Sequence, residues 1–141
     1  MATTKIEKYT EKLTEQEMKI SGYGENDFGF VYVQGENTPN SDINEALKRA
    51  GGKPKECALS DFDIHGSGKA KPECIITLKH DLNTILVVEC KNMAKKHKSE
   101  DMDHPKDYAV DGALYYAKYL KMNFNVIAIG ISGTKSEYFM L

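Results

Sequence analysis

The chain has 141 residues, of which 40% are hydrophobic and 28% are charged. This length and balance are typical of one globular domain, and they exclude a disordered tail, a collagen-like repeat and a coiled-coil rod. No apolar run approaches the roughly 20 residues of a membrane-spanning helix, and no secretory signal is visible. We therefore expect a cytoplasmic protein without a membrane partner.

The charges and cysteines narrow the function classes further. There are 19 Lys and Arg against 21 Asp and Glu, a formal net charge of −2, so nucleic-acid contact would have to rest on a local basic patch. Cys57, Cys74 and Cys90 are odd in number and form no C-x-x-C pair, which argues against a disulfide framework or a sulfur-only zinc site. We expect them to be buried as small hydrophobic side chains.

The first half of the chain predicts two helices and a short strand. Apolar residues at helical spacing over 5–19 predict an exposed helix, and residues 28–33 predict the strand. A second helix is expected to begin with a cap at Ser41 or Asp42 and to stop at the glycine pair 51–52.

The second half is more clearly patterned. Strands are predicted over 57–64, 74–78, 85–90, 125–131 and 138–141, and a helix over 107–120. A turn-like sequence at 80–83 separates two β-branched runs, which predicts a β-hairpin. The aliphatic run 86–88 has no polar alternation, as is typical of a central strand covered on both faces. The order of helix, three strands, helix and strand predicts an α/β sandwich around one mixed sheet.

Charged residues follow the aliphatic run of the second hairpin strand. Glu89 and Lys91 are two residues apart, so their side chains should share one face while Cys90 points to the other. Antiparallel pairing around a turn near Asp81 would bring Glu73 beside Glu89. Two carboxylates suit Mg²⁺ or Mn²⁺, and a water activated beside Lys91 could attack phosphorus.

These residues carry a resemblance to a known family. The sequence 71–73 (KPE), followed after fifteen residues by 89–91 (ECK), resembles the PD-(D/E)XK nuclease signature. Residues 85–92 resemble the third strand of that family, 108–117 its following helix and 126–133 the next strand. The context is most similar to the N-terminal nuclease domain of Type I restriction motor subunits and of Type IIG restriction-modification enzymes fused to N6-adenine methyltransferase.

The resemblance implies a restriction-endonuclease-like sandwich, a central mixed β-sheet flanked by helices. Its αβββαβ core would cover 41–135, after an N-terminal helix and variable segment over 1–40. Residues 1–141 would be one nuclease domain, a module of a larger chain that also needs methyltransferase and target-recognition domains or subunits. The implied activity is Mg²⁺- or Mn²⁺-dependent hydrolysis of phosphodiester bonds in double-stranded DNA, and dimerisation during cleavage stays open.

The resemblance also implies roles for single residues. Glu73, at the usual Asp position, and Glu89 would bind the metal together with the backbone carbonyl of Cys90. Lys91 would position or activate the water, or stabilise charge on the phosphorane. Glu45, on the preceding helix, is a further candidate metal ligand.

On the later helix, Tyr116 matches the Tyr of a Q-x-x-x-Y motif and would support the site, whereas Gly112 stands at the Gln position. The dense basic run after the third strand is a candidate DNA contact, and it comprises Lys95, Lys96, His97 and Lys98.

Plainer interpretations of the same residues stay open. Glu89 and Lys91 could form an exposed salt bridge worth under about 1 kcal/mol. Glu45 could be a helix-surface residue, the basic run a solvated loop, and Asp111 could face the site or pair with a lysine. The alternative functions are a stand-alone repair or anti-phage nuclease of the same fold, and a catalytically inactive nuclease-like module that binds DNA or protein.

Overall fold

The computed structural model describes residues 29–34 and 36–141, so the helix predicted over 5–19 lies outside the described residues. The elements follow in chain order: β1 (Gly29–Val33), α1 (Ser41–Ala50), β2 (Cys74–Leu78), β3 (Thr84–Lys91), a short 3₁₀ helix (Ala94–Lys96), α2 (Ala109–Leu120), β4 (Asn125–Ser132) and β5 (Lys135–Met140). Within the described ranges, no helix has the length and apolar character needed to cross a membrane.

The five strands form one mixed sheet in the order β1-β2-β3-β4-β5. Neighbouring strands are antiparallel except β3 and β4, which are parallel. A parallel pair needs a long crossover, and α2 lies in that connection and packs on both strands. The carboxyl ends of β3 and β4 therefore meet at one edge of the sheet, next to the start of β2.

The predicted hairpin is confirmed, with β2 and β3 joined through 79–83. The Asp81 carboxylate accepts hydrogen bonds from the Asn83 backbone N–H at 3.1 Å and from the Thr84 hydroxyl at 2.6 Å. Because a two-residue periodicity governs side-chain direction, this turn fixes which face each strand residue occupies. Cys74 lies opposite Val88 in the resulting register.

Helix α1 forms as predicted but is capped one residue earlier than expected. The Asn40 side chain accepts hydrogen bonds from the backbone N–H groups of Asp42 and Ile43, at 2.9 and 3.1 Å, so the expected cap at Ser41 or Asp42 is wrong. Asn40 has the extended backbone that a cap needs, with φ −90° and ψ 114°. The helix ends at Gly51, whose φ of +61° favours glycine.

The sheet carries an apolar cluster on each face. The first includes residues of both helices, such as Tyr116 of α2, and the strand residues that face them, such as Ile75 and Val87. The second lies on the opposite face and comprises Cys74, Ile76, Leu86, Val88 and Cys90. Cys57, Cys74 and Cys90 are all buried, which confirms the expectation that they pack as small hydrophobic side chains.

The strand predicted over 57–64 is wrong, and with it the expected run of three strands after the first helix. This segment contains turns and no strand, and the additional strand of the sheet is β1, which precedes α1. The carbonyls of Ala58 and Asp61 accept hydrogen bonds from the buried ammonium of Lys118 on α2. A side chain therefore takes the place that a neighbouring strand would have in satisfying this backbone.

Candidate active site

Two buried carboxylates lie where β2 begins and β3 ends. Glu73 directly precedes β2 and is 3% exposed, and Glu89 of β3 is 4% exposed. The backbone N–H of Glu73 donates a hydrogen bond to Oε2 of Glu89 at 3.0 Å. The expectation that hairpin pairing brings these residues together is therefore confirmed.

Lys91 ends β3 two residues after Glu89, and Cys90 lies between them. The Lys91 ammonium donates a hydrogen bond to the backbone carbonyl of Lys106 at 2.9 Å. The Cys90 side chain belongs to the apolar cluster on the far face, as its position in the strand predicts.

A lysine that the sequence did not single out forms an ion pair with Glu89. The Lys53 ammonium lies 2.7 Å from Oε1 of Glu89, and the two side chains are 20% and 5% exposed. Among the described residues, Oε1 accepts no hydrogen bond of good geometry, so this ion pair is its main stabilising contact.

Lys53 reaches Glu89 through a gap beside α2. A Cβ on Gly112 would lie 3.2 Å from Cδ and 3.4 Å from Nζ of Lys53. Gly112 was the sequence signal that could have suggested the approach of Lys53. A glycine in the helix has no side chain, so it leaves room for a side chain from elsewhere in the protein.

Tyr116 supports the segment that leads into Glu73. Its hydroxyl is buried and accepts a hydrogen bond from the backbone N–H of Lys71 at 3.1 Å. Burial, and then the negative charge of Glu89, raise the pKa of Tyr116 above its ordinary value of 10.0. Tyr116 is therefore a neutral hydroxyl near Glu89 at neutral pH.

Other predicted residues are exposed or serve the scaffold. Glu45 is exposed on α1. Asp111 is fully buried and accepts hydrogen bonds from the backbone N–H groups of Ser99 and His104, at 3.1 and 2.9 Å. Asp111 thus orders the loop before α2.

The basic run lies beside the end of β4 and the start of β5. His97 is 8% exposed, with Nδ1 3.1 Å from the Ser132 hydroxyl and Nε2 3.1 Å from Oε1 of Glu137. The Lys98 ammonium lies 3.1 Å from Oε2 of Glu137, and the hydrogen bonds from Lys98 and His97 hold the pKa of Glu137 below its ordinary range. Lys95 is exposed. Lys95, His97 and Lys98 line a cavity of about 550 Å³.

A larger cleft of about 700 Å³ runs past the start of β2, and it is a feature that sequence reasoning missed. It lies between α1 and the segment 68–72 and is lined in part by Lys48, Lys69 and Lys71. These lysines are separated in the sequence, so no charge run indicates them. Pro72, the residue before Glu73, also lines the cleft.

The donor set at the strand ends fits a hard divalent cation. Mg²⁺ binds through oxygen, commonly through one or two protein carboxylates, and keeps several waters or phosphate oxygens. Glu73 and Glu89 supply two carboxylates of this kind. Over 29–34 and 36–141, no group of three or more His, Cys, Asp or Glu side chains is arranged to hold a metal.

Comparisons with protein-family models, curated proteins and solved structures found no match. The likeness of 71–73 and 89–91 to the nuclease signature therefore stays a prediction. The chemistry of the site has to be inferred from its own residues.

Proposed function

We propose that this chain is the Mg²⁺-dependent DNA endonuclease domain of a restriction-modification enzyme, with a restriction-endonuclease-like fold. The observation that carries the proposal is the pairing of Glu73 with Glu89. These two acidic residues, 3% and 4% exposed, are neighbours at the rim of the sheet, where the Glu73 backbone N–H donates a hydrogen bond to Oε2 of Glu89 at 3.0 Å. Mg²⁺ takes one or two carboxylates as protein ligands and completes its coordination with waters or phosphate oxygens, which matches a pair of acids at the rim of a sheet.

Glu73, Glu89 and the backbone carbonyl of Cys90 would hold the cation. When bound, Mg²⁺ would supply Lewis-acid chemistry at a phosphodiester. The Glu89 carboxylate is held in place for this task, because Glu89 lies inside β3 and its Oε2 accepts a hydrogen bond from the backbone N–H of Glu73, the residue before β2.

Lys91 would act on the reacting phosphate or on the attacking water. Its ammonium is anchored to the Lys106 carbonyl at 2.9 Å and remains partly exposed. An ammonium held at the strand end can orient a water by hydrogen bonding and can stabilise negative charge that develops on phosphorus. Tyr116 would position Glu73 through the Lys71 N–H and would take no part in proton transfer.

Double-stranded DNA would approach along the cleft that contains Lys48, Lys69 and Lys71. Lysines in a groove neutralise phosphates without reading base edges. Target recognition and methylation would therefore belong to other domains or subunits, and a dimer could be needed to cut both strands.

The test combines metal binding with strand cleavage. Calorimetric titration with Mn²⁺ should show binding to the wild type, loss of binding in Glu89→Gln and normal binding in Glu56→Gln, a matched change at an exposed acid. With Mg²⁺ or Mn²⁺, the wild type should nick supercoiled plasmid, and Lys91→Ala should be slower by about 100-fold or more, as when one charge-stabilising group is removed. Lys121→Ala, at an exposed lysine, should nick normally.

Two results would count against the proposal. A wild-type protein that binds no Mn²⁺ and nicks no plasmid would refute a metal-dependent nuclease. Equal nicking by the wild type and Lys91→Ala would remove Lys91 from the mechanism.

A second candidate function is an inactive nuclease-like module that binds DNA or protein. The ion pair between Lys53 and Glu89 favours it, because an ammonium already compensates this carboxylate. Such a module would bind duplex DNA equally well with EDTA and with Mn²⁺, and Glu89→Gln would not change its affinity.

A further inference from the structure

The backbone around Lys53 is fixed on both sides. The preceding residue, Gly52, donates its N–H to the Gly68 carbonyl at 3.0 Å and accepts from the Gly66 N–H at 2.8 Å. The following residue, Pro54, accepts a hydrogen bond from the Lys106 N–H at 3.2 Å. Lys53 therefore projects from an anchored point of the chain.

The side chain of Lys53 is guided toward the candidate metal site. It passes the bare Cα of Gly112, where any Cβ would meet both its Cδ and its Nζ. Its ammonium ends 2.7 Å from Oε1 of Glu89 and is largely buried. A flexible surface lysine would lose too much side-chain entropy to be held here without a strong electrostatic partner.

Both oxygens of Glu89 are thus engaged by the protein itself. Oε2 accepts the Glu73 N–H at 3.0 Å, and Oε1 faces the Lys53 ammonium. A divalent cation that binds Oε1 has to compete with a positive charge already at contact distance.

We propose that Lys53 is an internal counter-ion that competes with the divalent cation for Glu89 and so sets the metal affinity of the site. This inference rests on the proposed function, because it assumes that Glu89 is a metal ligand. The lysine keeps the buried carboxylate compensated when no metal is bound, and it weakens metal binding by the cost of displacing its ammonium.

The test measures Mn²⁺ affinity by calorimetry in four proteins: wild type, Lys53→Met, Lys53→Arg and Lys55→Met. Lys53→Met should bind Mn²⁺ about tenfold more tightly than the wild type, the scale for removing one charge at contact distance from a partly solvated site. Lys53→Arg keeps the charge and should bind as weakly as the wild type. Lys55→Met changes an exposed lysine two residues away and should also match the wild type.

Thermal unfolding gives a second measurement that does not depend on activity. In EDTA, Lys53→Met should unfold at a lower temperature than Lys55→Met, because Glu89 is then buried without its partner. Mn²⁺ should raise the melting temperature of Lys53→Met more than it raises that of the wild type. If Lys53→Met is too unstable to purify, Lys53→Gln provides the same comparison with a polar side chain.

The outcomes separate this inference from the proposed function. Mn²⁺ binding of equal affinity in the wild type and Lys53→Met would overturn the counter-ion and leave the metal site intact. Binding by Lys53→Met with no measurable binding by the wild type would support the counter-ion. No binding by either protein would overturn both.

Discussion

Lys118 of α2 donates a hydrogen bond from its ammonium to the backbone carbonyl of Asp61, a residue 57 positions earlier in the chain. The same ammonium donates to the Ala58 carbonyl at 3.4 Å and lies 3.3 Å from Sγ of Cys57. It is 3% exposed. Three aromatic rings lie within 5.3 Å of it, those of Phe62, Tyr115 and Tyr119. One buried cation thus connects the 57–64 segment to the helix.

Replacing Lys118 by Met should destabilise the fold by about 1–3 kcal/mol, because the carbonyls of Ala58 and Asp61 lose hydrogen bonds from a charged donor. Urea unfolding measures this change, and Lys121→Met, at an exposed lysine of the same helix end, should change stability by less than about 0.5 kcal/mol. Amide hydrogen exchange over 57–64 should accelerate in Lys118→Met. Wild-type stability and exchange in this variant would show that the cation is not needed to hold the segment.

Gly112→Ala should destabilise the protein even though alanine is the better helix former. The new Cβ would lie 2.9 Å from the Pro105 carbonyl oxygen, a backbone atom that has to move. Overpacking of this kind costs about 1–3 kcal/mol, and the gain in helix propensity offsets only about 1 kcal/mol. Urea unfolding of the variant gives the net change.

The contact between residues 112 and 53 can be isolated in the same experiment. In a Lys53→Ala background, the Gly112→Ala substitution should cost less, because the crowded Lys53 side chain is gone. Strictly additive effects of the two substitutions would mean that the gap at Gly112 does not accommodate Lys53.

Tyr116→Phe should reduce the loss of stability at alkaline pH. The pKa of Tyr116 is raised in the folded protein, so its contribution is fully present below pH 10.0, the ordinary tyrosine value, and is lost as pH rises toward the folded pKa. Above pH 10.0 the unfolded chain releases the tyrosine proton while the folded protein still keeps it, and this difference favours unfolding. The urea midpoint of the wild type should therefore fall above pH 10, and that of Tyr116→Phe should fall less steeply.

At neutral pH the same variant should lose about 1 kcal/mol, because the Lys71 N–H loses its acceptor. Tyr138→Phe, at a ring that is 67% exposed, is the matched control and should retain the wild-type slope. An unchanged alkaline slope in Tyr116→Phe would contradict the assigned linkage.

The sequence predicted the centre of this fold well, since the information there is local. The unbroken aliphatic run 86–88 can only be satisfied by burial on both faces, and β3 is indeed the middle strand of the sheet. Glu89 follows this run. Strand periodicity and the hairpin turn were enough to predict that Glu73 lies beside it, as the hydrogen bond between the two residues shows.

What the sequence could not predict depends on partners that are distant in the chain. The segment 57–64 has strand-like composition, but Lys118 satisfies its carbonyls, and no local pattern reveals a donor 57 residues away. The partner of Glu89 was missed for the same reason. Lys53 is one of many lysines, and only the packing of its loop against Gly112 brings it to the carboxylate.

The basic run makes a separate prediction about DNA. Lys95 is exposed, and the exposed Lys98 pairs its ammonium with the half-exposed acid Glu137 and lies 5.8 Å from the Phe139 ring centroid, so both lysines are placed to exchange into contact with a phosphate. If they bind phosphates, the double variant Lys95→Gln and Lys98→Gln should bind a fluorescent duplex more weakly. The negative slope of log K against log salt should also become shallower by about 1.8, or about 0.9 for each lost contact. Glu137→Gln should strengthen binding, because it frees Lys98, and Lys121→Gln should change neither quantity. A double variant with the wild-type salt slope would mean that the run is a solvated loop and that phosphates contact the protein elsewhere. The next residues to test would then be the cleft lysines Lys48, Lys69 and Lys71.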